Sequence, residues 1–177
     1  MKTSLPPRAR SVAMGAALAV CLLGATVPAA AAAPAAPAVA TTCESACFLG
    51  VRTATHDTYD RLVIDLGGPN LPTWTEHIGD GGLSYNDGGS GESKPVPLTG
   101  KRFLTLDFFG VNNYTTTGAN SFTGATTQPL KLPAIKGYAM LGGYEGYYSF
   151  GLALGDHTRH RVFTLTNPNR LVVDVYR

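Results

Sequence analysis

The stretch that decides the fold is residues 169–175, which read NRLVVDV near the end of the 177-residue chain. It repeats the pattern of residues 60–66, which read DRLVIDL. In both stretches apolar side chains occupy alternate positions, and successive side chains of a strand point to opposite faces. Each stretch is therefore predicted to be a β-strand with one buried face. These residue types are common in strands, so a match over seven positions leaves open whether the two stretches arose by duplication.

Four charged residues of these stretches fall on the face opposite the apolar rows, whereas Asp60 shares the face of Leu62. Leu171, Val173 and Val175 form the apolar row of the later stretch, and such a row needs a core to cover it. We therefore expect this strand to be paired within a sheet. The charged positions are predicted to have structural roles, and they are Arg61, Asp65, Arg170 and Asp174.

From residue 48 onward, short runs of β-branched and aromatic residues alternate with clusters of Gly, Pro, Asn and Asp. There is no convincing amphipathic helix, although residues 133–141 would also fit one helical turn. The fold class is predicted to be all-β, a β-sandwich of short, mostly antiparallel strands. The predicted strands are residues 48–54, 59–66, 73–78, 95–98, 101–109, 130–140, 145–154, 160–166 and 170–176.

Two polar segments interrupt this pattern and are predicted to be long loops. Residues 79–91 hold six glycines, too many for a stable strand. Residues 110–128 are rich in Thr, Asn and Gly. Part of the first loop, residues 88–92, half resembles a calcium-binding nonapeptide repeat, but it is a single partial copy, so no metal site is predicted there.

Residues 1–33 have the layout of a secretory signal peptide, because three basic residues precede an apolar run from Val12 to Val27 and an Ala/Pro tract. The run is shorter than the roughly 20 residues of a membrane span, so no stable span is expected after cleavage. The domain organisation is then a signal peptide (1–33), an Ala/Pro-rich leader (34–46) and one domain (47–177). Cys21 raises the alternative of a lipoprotein, but Val20 precedes it and the apolar run continues beyond it.

Removal of the signal peptide leaves 144 residues with 11 basic and 12 acidic side chains. The net charge of +2 for the whole chain therefore comes from the signal peptide and gives no support for a nucleic-acid partner, which would need a basic stripe on the domain itself. Cys43 and Cys47 remain, and disulfides persist outside the cytoplasm. Their spacing fits neither a redox pair nor a zinc site, so a local structural disulfide is predicted.

Three stretches together resemble the AMIN-like domain, a family of secreted and lipid-anchored bacterial proteins related to the AMIN domain of cell-wall amidases and secretins. Residues 55–68, THDTYDRLVIDLGG, resemble the family's opening strands. Residues 143–146, GYEG, and residues 163–175, FTLTNPNRLVVDV, resemble a central motif and the closing segment. The resemblance covers the whole predicted domain and implies a β-sandwich with a non-catalytic envelope role and contact with peptidoglycan. The glycine-rich loop and the cysteine pair depart from the family pattern, so no binding residue is carried over.

No constellation of side chains predicts an enzyme or a cofactor. The domain has no G-x-S-x-G, no H-E-x-x-H and no lone cysteine. His56 and Asp57, followed by Asp60, would offer acid/base groups, but turn chemistry explains them more simply. His157 and His160 would point to opposite faces of a strand, so no metal site is predicted.

The aromatic residues are the best lead to a ligand, because sugar rings stack on aromatic faces. The predicted ligand-binding residues are Trp74, Tyr144, Glu145 and Tyr147. Trp74 and Tyr147 are expected to be exposed, whereas about half of the aromatic set is expected in the core. For Glu145 there are two alternatives: burial against Arg61 or Arg170, which is the simpler interpretation, and a carboxylate that faces the ligand.

The function predicted from these observations is that of a secreted or wall-associated, non-catalytic module that binds a cell-wall glycan such as peptidoglycan, or an envelope protein. The alternatives are an envelope hydrolase and a protein–protein adaptor that uses an exposed sheet edge.

Overall fold

The computed structural model describes residues 43–86 and 91–177, which fall within one compact unit, Ala38–Arg177. The predicted signal peptide, Cys21 and most of the predicted leader lie outside the described residues, as do residues 87–90 of the glycine-rich loop.

Strands are the only regular elements among the described residues, which confirms the predicted all-β class. Within these ranges no helix has the length and hydropathy needed to cross a membrane. The eleven strands are β1 (Cys47–Thr55), β2 (Tyr59–Gly67), β3 (Thr73–Gly79), β4 (Ser84–Asn86), β5 (Ser93–Pro95), β6 (Arg102–Phe109), β7 (Thr127–Pro129), β8 (Ile135–Tyr144), β9 (Tyr147–Leu154), β10 (His160–Leu165) and β11 (Arg170–Tyr176).

The first sheet has four antiparallel strands in the order β1-β2-β11-β10. The two stretches with the repeated pattern form its central strands, and they lie side by side with Leu62 opposite Val173. The closing strand is thus paired on both sides, as predicted. Alternation puts Leu62, Ile64, Leu171 and Val173 on the inner face, where all four are fully buried.

The second sheet has five antiparallel strands in the order β3-β6-β9-β8-β7. Its inner face carries the buried side chains of Leu104, Leu106 and Phe150, which pack against the apolar row of the first sheet. Phe48 contacts the rings of Phe108 and Phe150 edge-on, with centroids 5.1 and 6.3 Å apart. The two sheets therefore form a sandwich around one core.

A short ribbon, β4 and β5, covers part of the outer face of the five-stranded sheet. Leu83 and Val96 from this ribbon pack on Phe103 and Ala153 in a second, smaller apolar cluster. Gly151 lies beneath the ribbon, and a Cβ atom there would lie 2.6 Å from Leu83. The close approach of the ribbon thus requires glycine at this position.

The glycine-rich segment is the main place where the predicted strands were wrong. Strand β4 lies inside residues 79–91, which were predicted to be a loop, and β5 precedes the strand predicted at 95–98. Strand β7 begins inside the predicted loop 110–128, and β8 lies later than the strand predicted at 130–140. These strands are short or bulged, and contacts made when the sheets assemble fix them rather than local composition.

Cys43 and Cys47 form a disulfide, as predicted. Both cysteines are buried at the start of β1, next to Gly67 at the end of β2. The two cysteines are only four residues apart in sequence. The bond therefore constrains only the start of β1 and little of the rest of the chain.

Candidate functional site

The hairpin turn between β8 and β9 presents two tyrosines on the surface. Tyr144 and Tyr147 face each other across the turn, and they are 78% and 61% exposed. The two residues between them, Glu145 and Gly146, have φ angles of 51° and 83°. A two-residue turn with two positive φ angles matches the twist of a hairpin, and glycine makes the second position easy.

Phe109 extends this pair along the outer face of the five-stranded sheet. It lies opposite Tyr147 in β6, and the two rings meet edge-on with their centroids 5.2 Å apart. Tyr114, in the loop after β6, is 59% exposed and lines a recess with Tyr144 and Tyr147. We call Phe109, Tyr114, Tyr144 and Tyr147 the tyrosine surface.

A groove of about 500 Å³ runs beside the tyrosines and carries polar groups. Asn86 of β4 and Ser149 of β9 line it, together with Tyr144 and Tyr147. The Ser149 hydroxyl donates a 2.5 Å hydrogen bond to the carboxylate of Asp107, which holds the hydroxyl in one orientation. The combination of aromatic faces with a few oriented polar groups is typical of small-ligand sites.

A smaller recess of about 200 Å³ lies at the end of the same surface, and Asn113 is in its lining. Asn113 is 6% exposed, and its Oδ1 accepts a 2.8 Å hydrogen bond from the backbone amide of Phe48. Its Nδ2 is buried and makes no hydrogen bond of ordinary geometry within the described part of the chain, although it lies close enough to the Tyr148 hydroxyl to favour the phenolate and so offset part of the rise that burial causes in the pKa of Tyr148. A buried donor without a partner costs about 1–3 kcal/mol, so an acceptor supplied by a ligand at this recess would be favourable.

Tyr148 forms the inner boundary of both cavities. Its ring lies edge-on to Phe48, with centroids 5.4 Å apart, so it belongs to the core more than to the surface. Burial raises the pKa of the Tyr148 phenol above its ordinary value, because the phenolate is poorly solvated there. Burial also raises the pKa of Tyr138, which is stacked on Phe150 inside the sandwich.

Glu145 is exposed at the tip of the hairpin, so its alternative reading, burial against Arg61 or Arg170, was wrong. Those two arginines belong to the other sheet. The turn geometry puts the carboxylate next to the recess. The arrangement can therefore supply a hydrogen-bond acceptor at the rim of the tyrosine surface.

Trp74 does not join this group. It lies on β3 opposite Phe108, on the inner face, and is partly buried against the core. Its indole Nε1 donates a 3.0 Å hydrogen bond to Glu76. The structure thus brings together three of the four predicted ligand-binding residues and separates the tryptophan from them.

The predicted structural residues lie on the outer face of the four-stranded sheet. Arg61 makes a two-pronged ion pair with Asp174, and Asp65 makes one with Arg52. The side chain of Arg170 donates to the carbonyl of Pro168. The pairing of Asp65 with Arg52 was not anticipated, because it joins β1 to β2 instead of the two repeated stretches.

The acid/base and histidine groups weighed in the sequence are separated from one another. The Asp60 carboxylate is fully buried and accepts from the backbone amides of Ala134 and Ile135, so it ties the two sheets together. His160 contacts Glu76 at 3.0 Å, and Asp156 pairs with Lys101. Within the described ranges, no three His, Cys, Asp or Glu residues are grouped to hold a metal ion.

Sequence reasoning missed Phe109, Asn113 and Tyr114. Phe109 was placed on the same side of its predicted strand as Lys101 and Asp107 but was not considered as a binding residue, and the other two lie in a segment without periodicity. The only signal available was the match of Phe109 to the outward-facing positions of its strand.

Comparison with known proteins identifies one family. The sequence model of the AMIN-like domain family matches residues 46–177, which include all eleven strands and the whole tyrosine surface. No curated protein matches the chain.

Proposed function

The chain belongs to the AMIN-like domain family, and on this premise we propose that it is a non-catalytic binding module of the cell envelope. Its proposed ligand is peptidoglycan or another wall glycan, bound at the tyrosine surface. Domains of this family are generally envelope binding modules, and the groove and the recess around the hairpin provide a surface of suitable size and chemistry.

The observation that carries the proposal is the pairing of two exposed tyrosines with an unsatisfied buried amide. Tyr144 and Tyr147 leave most of their ring area in solvent, and exposed aromatic pairs of this kind are characteristic of binding surfaces. The Nδ2 atom of Asn113, without a hydrogen bond of ordinary geometry in the described residues, lies in the lining of the adjoining recess. A ligand with both apolar ring faces and hydrogen-bond acceptors would satisfy both features.

A sugar chain has this combination. The C–H faces of pyranose rings would stack on Tyr144 and Tyr147, while hydroxyl groups would donate to Glu145 or Asp107. An acetamido or ring oxygen at the recess would accept from Asn113. Because the rim is open, the ligand would be a chain that crosses the surface rather than a small molecule enclosed by it.

The same proposal places the domain outside the cytoplasm, after removal of residues 1–33 as a signal peptide. The N-terminus of protein recovered from culture medium or wall extracts, read by mass spectrometry, tests this directly. Recovery of the intact N-terminus with the cell membrane would instead favour a retained anchor.

The binding proposal is tested by sedimentation with purified peptidoglycan that has been stripped of attached phosphate polymers. We expect the wild-type protein to sediment with it, and the double variant Tyr144→Ala/Tyr147→Ala to remain in the supernatant. Leu71→Ala is the matched control, since Leu71 is also an exposed apolar residue, 37% accessible, but lies in the loop between β2 and β3. Equal retention of wild type and the double variant would count against the tyrosine surface as the site.

The hydrolase alternative is examined in the same preparation. Release of soluble wall fragments by the wild type, lost in Glu145→Gln, would replace the binding proposal with a catalytic one.

A further inference from the structure

The arginines of the domain are gathered on one side of the sandwich. Of the seven arginines in the described residues, Arg102 alone lies in the five-stranded sheet. Alternation along the strands directs Arg52, Arg61, Arg161 and Arg170 to the outer face of the four-stranded sheet, opposite the core, and Arg159 lies over the ring of Tyr176 on the same face. We call these five the arginine face: Arg52, Arg61, Arg159, Arg161 and Arg170.

The net charge of the domain does not reveal this clustering, because it sums the charges of both sides. Three carboxylates accompany these five arginines, those of Asp57, Asp65 and Asp174, so the face has a surplus of two positive charges. No lysine lies in this sheet. The rest of the domain has more acids than bases, and the field of the molecule is therefore strongly one-sided.

Two of the arginines are held by the protein's own acids, and three are free of them. Arg52 and Arg61 are paired with Asp65 and Asp174. Among the described residues, no carboxylate forms an ion pair with Arg159, Arg161 or Arg170; the last donates only to a backbone carbonyl. These three guanidinium groups keep donors available for an external anion.

The arginines form successive rows along the sheet. A row is a set of residues that lie side by side across the four strands. Arg170 shares the first row with Asp65, and Arg52 lies in the second row. Arg61 and Arg161 share the third row, and Arg159 lies at the end of the fourth. Rows on one face are two residues apart, which is about 7 Å. A chain that crosses the rows would therefore meet a positive charge at each step.

A groove of about 670 Å³ follows these rows. Arg52, Arg61 and Arg170 line its sides, and Val63 and Val172 form its floor. Val172 is only 1% exposed and lies at the bottom of the groove, whereas Leu165, which also lines it, is 37% exposed. This shape suits a narrow chain that lies in the groove with its charges toward the rims.

The aromatic rings of this face are already covered by guanidinium groups. Arg159 lies over the ring of Tyr176 at 4.6 Å, and Arg161 lies over the ring of Phe163 at 4.8 Å. Arg61 lies over the ring of Tyr59 at 5.2 Å. These contacts order the guanidinium groups and leave little free ring surface for stacking.

We propose that the arginine face binds a linear phosphodiester polymer, specifically a polyol phosphate chain, at a second site on the opposite side of the molecule from the tyrosine surface. The planar, weakly hydrated guanidinium group suits phosphate recognition through two parallel hydrogen bonds. A polyol phosphate repeats its charge over a distance comparable to the row spacing, so several weak contacts combine into one stable attachment.

Two other polyanions fit the face less well. Single-stranded nucleic acid is normally held by bases stacked on aromatic side chains, and the rings here are covered. A membrane surface is normally entered by several projecting apolar side chains, whereas of the large apolar side chains that line this groove only Leu165 is exposed.

The test measures binding of the full exported protein to purified poly(glycerol phosphate), by calorimetry at several salt concentrations. We expect saturable binding that weakens steeply with salt, because each phosphate contact releases counterions. The double variant Arg161→Gln/Arg170→Gln should bind at least about tenfold more weakly. Arg161→Lys/Arg170→Lys keeps the positive charges but loses the paired donors of the guanidinium groups. Its affinity should lie between those of the wild type and the glutamine variant.

The matched control is Lys101→Gln/Lys131→Gln, which removes the same charge from outside the four-stranded sheet and should bind within about twofold of wild type. Tyr144→Ala/Tyr147→Ala should also retain full binding, so this test and the peptidoglycan test can fail separately. Melting temperatures within a few degrees of wild type would show that the variants are folded.

Several results would overturn the proposal. These are absence of binding, an equal loss in the lysine control, equal affinity for poly-glutamate, tighter binding of single-stranded DNA with the same number of charges, and binding to phosphatidylglycerol vesicles without binding to the polymer.

Discussion

Arg61 and Asp174 are 113 positions apart in sequence and are joined across β2 and β11 by two hydrogen bonds of 2.6 and 2.7 Å. The Asp174 side chain is 5% exposed and that of Arg61 is 31% exposed. The hydrogen bond to Asp174 is the main reason that the pKa of Arg61 is raised above its ordinary value. This ion pair fixes the register of the two central strands of the four-stranded sheet.

Replacement of Asp174 should therefore be costly. Asp174→Ala leaves a half-buried guanidinium group without its carboxylate, and we expect the free energy of unfolding to fall by about 1–3 kcal/mol. Asp65→Ala is the matched control. It breaks the more exposed pair with Arg52 and should cost under about 1 kcal/mol. Urea denaturation of the two variants measures the difference, and equal losses would show that burial of the pair is unimportant.

The apolar row of β11 should be essential for folding. Leu171 is fully buried, and Leu171→Ala should lower the free energy of unfolding by about 2–5 kcal/mol. Leu165→Ala removes an exposed leucine from the neighbouring strand and should have little effect. Deletion of residues 170–177 should leave an unfolded product, because it removes a central strand. A truncated protein with a cooperative melt close to that of the parent would contradict this account of the sheet.

The repeated seven-residue pattern predicted these two strands and their buried faces well, because alternation is a local property that burial on one side imposes. It did not predict that the strands are neighbours, since pairing joins positions more than a hundred residues apart. The short strands β4, β5 and β7 were missed or misplaced for a different reason, since each pairs with a strand close to it in sequence. Their composition is that of loops, and contacts with the larger sheet fix them.

Gly143 should be required for the shape of the tyrosine surface. A Cβ atom at this position would lie 2.3 Å from the backbone carbonyl of Tyr147 and 2.2 Å from the ring of Tyr148. Gly143→Ala should therefore shift the hairpin, and we expect loss of peptidoglycan retention together with a lower melting temperature. Gly118→Ala is the control, because its φ of 80° is also unfavourable but nothing lies within 4 Å of the added atom. It should lose stability by about 1 kcal/mol and keep binding; retention by both variants would oppose the prediction.

Two tyrosines should ionise late on alkaline titration. Burial raises the pKa of Tyr138 and Tyr148 above the ordinary value of 10.0. The neutral phenol is then the form favoured by folding, so this contribution to stability is complete below pH 10 and is lost as the pH rises through the folded-state pKa. An ultraviolet titration of the phenolate band should show a late phase, which Tyr148→Phe reduces by one group. An unchanged late phase in that variant would show that Tyr148 is solvated.

The candidate site was less predictable than the fold. Tyr144, Glu145 and Tyr147 were identified because they are clustered in sequence, and a two-residue turn keeps such residues together. Trp74 was included on residue type alone, and its strand turns it toward the core. Asn113 and the arginine face had no local signal, because burial of a single amide and the segregation of charges between two sheets are visible only when the strands are assembled.

The claim that the tyrosine surface binds wall glycan is tested most directly by NMR titration of the isotope-labelled protein with soluble peptidoglycan fragments. We predict saturable shifts confined to the ring signals of Tyr144 and Tyr147, the Asn113 side-chain amide and their immediate neighbours, with the Asn113 amide protons protected from exchange in the complex. Shifts that are absent at saturating fragment concentration, or that centre on Arg161 and Arg170 instead, would contradict the account.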